Sequence, residues 1–192
     1  MDPATTLVSR DEFALVIIDI QERLAAAMER RDEVVRTVSR LARTAAMLDA
    51  PLIVTRQYPQ GLGPTVPELE TVLGALTDEG ARISGVDKTA FCCAAEIDFT
   101  KALRATGRRQ VVLVGMETHI CVTQTALALA AEGYDVHVVA DACCSRETAS
   151  HEVALDRLRQ GVCVTTSESV MYEAVGRAGT DEFRRLLAIV KE

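Results

Sequence analysis

No C-x-x-C pair occurs among the six cysteines, tryptophan is absent, and histidine occurs three times in 192 residues. Without a C-x-x-C the chain offers neither a zinc ribbon nor a thioredoxin-type redox centre. The N-terminal MDPATTLVSRDEF has no apolar h-region and does not read as a secretory signal. The longest apolar runs, such as VVLVG at 111–115, fall far short of a bilayer span, so no membrane is expected. No Lys/Arg cluster offsets the net charge of -7. A nucleic-acid partner is not expected either, because neutralising phosphates needs a positive face. These absences favour a cytoplasmic protein with reduced thiols. Cys92–Cys93 and Cys143–Cys144 are adjacent pairs, badly placed to bridge one another.

What is present is an ordinary globular balance, 48% hydrophobic and 26% charged. The length suits one domain over 1–192. A chain of this size buries about 70% of its unfolded surface and needs no disulfide to fold. Continuous apolar runs at 14–19, 52–56, 82–88, 111–115, 135–141 and 162–167 suit strands buried on both faces. Helical stretches at 31–49, 67–77, 96–106, 121–132, 149–159 and 181–191 accompany them. Gly107, Gly133 and Gly161 are placed to close helices as left-handed caps. The alternation predicts an open α/β sheet with right-handed crossovers.

Ligands in such sheets sit outside the carboxyl ends of the strands. Asp19 follows the first strand, Arg56-Gln57-Tyr58 the second and Lys88 the third. Gly115 to Cys121 follow the fourth, while the fifth and sixth end in Asp141 and Ser167. Cys121 stands where a new helix starts, a position whose free N–H groups favour thiolate. Asp19 can act as its general base, and Lys88 can stabilise both charges. Taken singly, each residue has a plainer role. Asp19 suits capping of the following helix, Lys88 suits the surface, and Cys121 suits the core. Their meeting at one sheet edge is what points to chemistry.

The blocks IIDIQ (17–21), VDKTAFCC (86–93) and VGMETHICVTQTALALAAEGYDVHVVADAC (114–143) resemble the isochorismatase-like cysteine hydrolase family along essentially the whole chain. The resemblance implies a three-layer α-β-α fold with a six-stranded parallel sheet ordered 3-2-1-4-5-6. It implies a catalytic triad of Asp19, Lys88 and Cys121. It also implies a cis peptide at Met116–Glu117, with the Glu117 and Cys121 N–H groups forming an oxyanion hole. Nicotinamidases of this family share a metal site, built from an Asp and several His, after strand 2. Here that segment reads VTRQYPQGLGPTVPE, with neither His nor Asp. His137 alternates with valines as a strand residue, His151 reads as a solvated helix residue, and His119 stands near Cys121. No metal and no cofactor is expected. Isochorismatase proper cleaves a vinyl ether without using the cysteine, so a complete triad favours acyl chemistry. The blocks look most like the isochorismatase-domain-containing branch.

Gln57, Tyr58, Phe91 and His119 are the candidate substrate-binding residues. Phe91 is placed one helical turn beyond Lys88, and Phe13, at the opposite edge, reads as core. Aromatic residues are only 4%, so Tyr58 and Phe91 stand out as apolar walls. Cys92, Cys93, Cys143, Cys144 and Cys163 read as inert thiols, with Cys92 and Cys93 next to the site but turned by a helix away from one another's targets. The expected activity is hydrolysis of a small amide-like C–N bond through a thioester. The alternatives are non-covalent ether or ester hydrolysis and a non-catalytic interaction or redox-sensing module. Association into a homo-oligomer is expected, with apolar faces offered by 149–159 and 181–191.

Overall fold

The computed structural model describes residues 6–191. The first five residues of the stretch read for a signal, and Glu192, lie outside them. The strands are β1 (Phe13–Ile18), β2 (Leu52–Gln57), β3 (Ile83–Lys88), β4 (Gln110–Met116), β5 (Asp135–Cys144) and β6 (Cys163–Thr165). They form one parallel sheet in the order β3-β2-β1-β4-β5-β6. This is the order implied by the sequence blocks. Strand order reverses between β1 and β4, which pair from Phe13↔Gln110 to Ile18↔Gly115.

Successive residues of a strand face opposite sides, and here both sides are apolar. Leu15, Ile17, Val54, Val112 and Val114 pack on one face against α2 (Arg31–Met47), α4 (Pro67–Asp78), α8 (Ser167–Val175) and α9 (Asp181–Lys191). Val16, Ile18, Ile53, Val111 and Leu113 pack on the other against α5 (Ile97–Ala105), α6 (Thr123–Ala131) and α7 (Thr148–Leu158). Two one-turn helices, α1 (Glu22–Ala25) and α3 (Pro59–Leu62), flank the loops after β1 and β2. No helix of the described residues is long and apolar enough to cross a membrane.

Several expectations need correction. Gly107 (φ 68°) and Gly133 (φ 88°) are left-handed caps, but Gly161 is not. The end of α7 closes instead through a further α-type turn, Val162 N–H to the Leu158 carbonyl, 2.9 Å. β5 does not stop at Asp141. A bulge, with Leu113 opposite Val138 but Gly115 opposite Cys143, lets the strand resume and run to Cys144. Asp141 instead accepts hydrogen bonds from Ser167 N (2.7 Å) and Oγ (2.5 Å), and Ser167 starts α8 rather than ending β6. Phe91 is not on a helix. The Glu96 carboxylate takes the Thr89 and Ala90 amides (2.9 and 2.8 Å), and the chain coils until a 3₁₀ turn at Cys93–Ala95. On α9, Leu186 is fully buried and Val190 packs on the core from a partly buried position.

Candidate active site

Three strand ends on the carboxyl side of the sheet deliver the groups of interest. Asp19 leaves β1 in a left-handed conformation (φ 54°), which Asp tolerates better than most residues. That turn swings its carboxylate inward, where it is fully buried. It caps no helix, because the residue before α1 is Gln21 and no side chain bonds there. Asp19 Oδ1 instead accepts from the Thr55 hydroxyl at 2.7 Å. Its Oδ2 lies 2.7 Å from Lys88 Nζ, and both side chains have no exposed area. A side-chain hydrogen bond also links the Asp19 carboxylate to the Cys121 thiol. The carboxylate is thus in hydrogen-bond reach of the thiol as well as of the ammonium.

Lys88 ends β3 and is not a surface lysine. Besides Asp19, its ammonium donates to Gln57 Oε1 (2.5 Å), with longer contacts to the Ala90 and Phe91 carbonyls (3.3 and 3.4 Å). Burial pulls the Lys88 ammonium down, but the negative charge of Asp19, the largest opposing cause, holds it above its usual value. It is a fixed cation and not a proton acceptor.

The third group arrives through a close approach. At Gly115 (φ 125°) a Cβ would lie 2.0 Å from the Ile18 carbonyl oxygen, so only glycine lets β1 and β4 come together here. The Met116–Glu117 peptide that follows is cis. A π-helical turn, Thr118–Val122, then precedes α6, so Cys121 sits in that turn and not in the α-helix itself. Single π turns occur frequently at functional sites. Thr123 Oγ1 donates to the Thr118 carbonyl (2.6 Å), and Thr118 Oγ1 lies 2.8 Å from His151 Nδ1. His151 is thus buried against the turn and not solvated, and burial, then the charge of Arg30, holds it below its usual range.

Cys121 is nearly buried, and it is not a resting thiolate. Burial pushes its thiol far up, the Asp19 charge adds to this, and Lys88 only partly opposes them. The helix-start argument therefore loses to desolvation here. Cys93, expected beside the site as a core thiol, is fully buried there; burial pushes it up to about 11, and it also feels Lys88 and Asp19. Its backbone amide is held by Thr125 Oγ1 at 3.0 Å, which docks its loop on α6. Cys143 is fully buried and strongly raised, and Cys144 is pushed up to about 12, both through burial first. All six cysteines are free.

The other candidates are scattered. Gln57 is buried and turned toward Lys88. Tyr58 and Phe91 are each 55% exposed. The Glu117 carboxylate accepts from Arg146 N (2.9 Å) and Nε (3.2 Å), turned away from the nucleophile's turn. His119 Nδ1 lies 2.9 Å from Ser145 Oγ, and its side chain lines a separate groove of about 370 Å³ with Thr123, Val153 and Arg157. Sequence reasoning missed Thr55 and Gln21. Thr55 carried a signal, a polar residue inside an apolar strand on the same side as Ile53 and Gln57. Gln21 was quoted only as part of a motif, yet it is fully buried.

The isochorismatase domain model matches residues 13–169. An isochorismatase domain-containing protein 1 of Salmo salar is 38% identical over 98% of this chain, which spans 62% of that relative's length. Among solved structures, the Mar1 ribonuclease of Caenorhabditis elegans is 33% identical with TM-score 0.86, covering 97% of this chain and 93% of its own. YcaC of Pseudomonas aeruginosa, described with hexane-2,5-diol and covalent acrylamide, is 26% identical with TM-score 0.85, covering 96% of this chain and 92% of its own. YcaC of Escherichia coli, described as an octameric hydrolase of unknown specificity, is 27% identical with TM-score 0.84, covering 96% and 90%.

Proposed function

The chain belongs to the isochorismatase-like hydrolase family, and from that premise we propose that it hydrolyses a small amide-like C–N bond through a Cys121 thioester. The observation that carries this reading is the buried Asp19–Lys88 pair, whose carboxylate hydrogen-bonds the Cys121 thiol and whose charges both act on it. Asp19 takes the thiol proton as the sulfur attacks the carbonyl carbon. Since the resting thiol is held protonated, this transfer accompanies attack instead of preceding it. The Glu117 and Cys121 backbone N–H groups receive the oxyanion. Lys88 keeps Asp19 oriented and balances its charge. The C–N bond breaks, and the amine leaves with the proton from Asp19. Water, deprotonated by the same carboxylate, attacks the thioester carbon. The C–S bond breaks, and the proton returns to sulfur.

The covalent acrylamide in the Pseudomonas aeruginosa neighbour supports a reactive nucleophile in this fold. The octameric Escherichia coli neighbour supports a homo-oligomer, and the exposed Val153 on α7 offers an apolar contact for it. The substrate is a small molecule without metal or cofactor assistance, in the cytoplasm. The ribonuclease name of the Caenorhabditis elegans neighbour is not carried over, because a net charge of -7 opposes a polyphosphate partner.

One observation favours a second reading, non-covalent ether or ester hydrolysis. The raised Cys121 thiol leaves Asp19 free to serve as acid and base by itself. A panel of small amides, ureides and carbamates, screened for ammonia release with Cys121→Ala as blank, tests the first reading. Ammonia release that survives in Cys121→Ala overturns it.

A further inference from the structure

We propose that Gln57 and Gln21 form a two-amide clamp that holds the Lys88 ammonium against Asp19, and that both are positioning residues and not substrate ligands. The inference rests on the Asp19–Lys88–Cys121 reading above and adds the device that fixes its cation. The sheet order creates the need for one. β2 lies between β1 and β3, so a pair formed by Asp19 after β1 and Lys88 at the end of β3 must close across the end of β2. Gln57 is the last residue of β2.

Its amide is oriented from both ends. Nε2 donates to the Thr89 carbonyl at 2.7 Å, so Oε1 is the atom that meets Lys88 Nζ at 2.5 Å. A flipped amide would set two donors against an ammonium and leave the Thr89 carbonyl facing an oxygen. Gln21 then grips the Gln57 backbone. Its Oε1 accepts from Gln57 N (2.7 Å), while its Nε2 donates to the carbonyls of Gln57 (3.0 Å) and Gly63 (2.7 Å). Gln21 itself is tied to Asp19 through its own amide, which donates to the Asp19 carbonyl at 2.9 Å. The chain of contacts runs Asp19, Gln21, Gln57, Lys88 and back to Asp19.

An ammonium has three donors. Two are held short by Asp19 and Gln57, and the third is shared between the distant Ala90 and Phe91 carbonyls. Removing the Gln57 acceptor frees the cation to leave Asp19 for those carbonyls. The groups facing Lys88 are Asp19, Cys93 and Cys121, so a displaced cation is felt at the Cys121 thiol.

The test is the pH profile of Cys121 alkylation by iodoacetamide, read by mass spectrometry on the whole protein. Gln57→Met is expected to move the profile upward by about 1 pH unit, tenfold in thiolate at fixed pH. In a Lys88→Met background the same substitution is expected to move it no further. A substrate ligand would alter KM and leave this small-reagent profile unchanged. A folded Gln57→Met protein whose profile matches the parent overturns the clamp. If Gln57→Met does not fold, Gln57→Asn, one methylene too short to reach Lys88, takes its place with the same expectation. Failure of both to fold marks Gln57 as structural and also overturns the proposal. If Lys88→Met itself leaves the profile in place, the triad reading fails. If Lys88→Met shifts it and Gln57→Met does not, only the clamp fails.

Discussion

Removing one charge of the Asp19–Lys88 pair without the other is expected to destabilise the fold by about 3–5 kcal/mol. The value follows from burial, since both side chains have no exposed area and lie 2.7 Å apart. Lys88→Met leaves a buried carboxylate with only the neutral Thr55 hydroxyl and Cys121 thiol as side-chain partners. Asp19→Asn leaves an ammonium held by Gln57 and two carbonyls. At a chain of this length each kcal/mol moves the melting temperature about 2–4 °C, so each single variant falls by roughly 6–20 °C. The double variant removes both charges. Asn tolerates the left-handed backbone at position 19, and Met fills the space of the lysine stem. The double variant is expected to be more stable than the summed losses require, by about 2 kcal/mol or more. Urea unfolding of the four proteins, followed by far-ultraviolet circular dichroism, closes the cycle. Strictly additive losses, or single losses below about 1 kcal/mol, would refute the buried-pair argument.

Asp19→Asn carries a second expectation. Since Asp19 raises the Cys121 thiol, its loss moves the alkylation profile to lower pH while turnover disappears. An unchanged or upward-moved profile contradicts the assigned geometry. Gly115→Ala places a Cβ 2.0 Å from the Ile18 carbonyl oxygen, so no native circular dichroism spectrum is expected from it, and a stable folded variant shows β1 and β4 can separate. His151 is held below its usual range by burial and then by Arg30. Its unfolded form therefore binds more protons below about pH 6.5, and stability is present above that value and lost as pH falls toward the folded value. His151→Gln is expected to flatten this acid loss in denaturant titrations, and equal slopes in parent and variant would exclude His151 as its source.

The sheet was readable because β1, β2 and β4 are buried on both faces, which leaves continuous Val/Ile/Leu runs that no amphipathic surface element shows. The strand ends were readable for the same reason, since Asp19 and Lys88 interrupt or close such runs. Strand order came with the resemblance and not from the patterns. What stayed hidden depends on contacts between distant positions. Gln21 and Gln57 are 36 residues apart, and neither looks unusual alone. His151 sits on a helix whose polarity suggested water, and its burial is set by the π turn 33 residues earlier. Phe91 left its expected helix because Glu96 drew off the local amides. The Cys121 environment was misjudged in magnitude: the helix-start effect was visible in sequence, whereas desolvation, which exceeds it, was not.

The most direct test of the account is rapid quenching of the enzyme with an amide that it turns over, followed by intact-protein and peptide mass spectrometry. The account predicts an acyl mass on the peptide bearing Cys121, formed before product accumulates and absent in Cys121→Ala. Turnover by Cys121→Ala, or a parent enzyme that turns the amide over yet carries no acyl mass on the Cys121 peptide at any quench time, would contradict it.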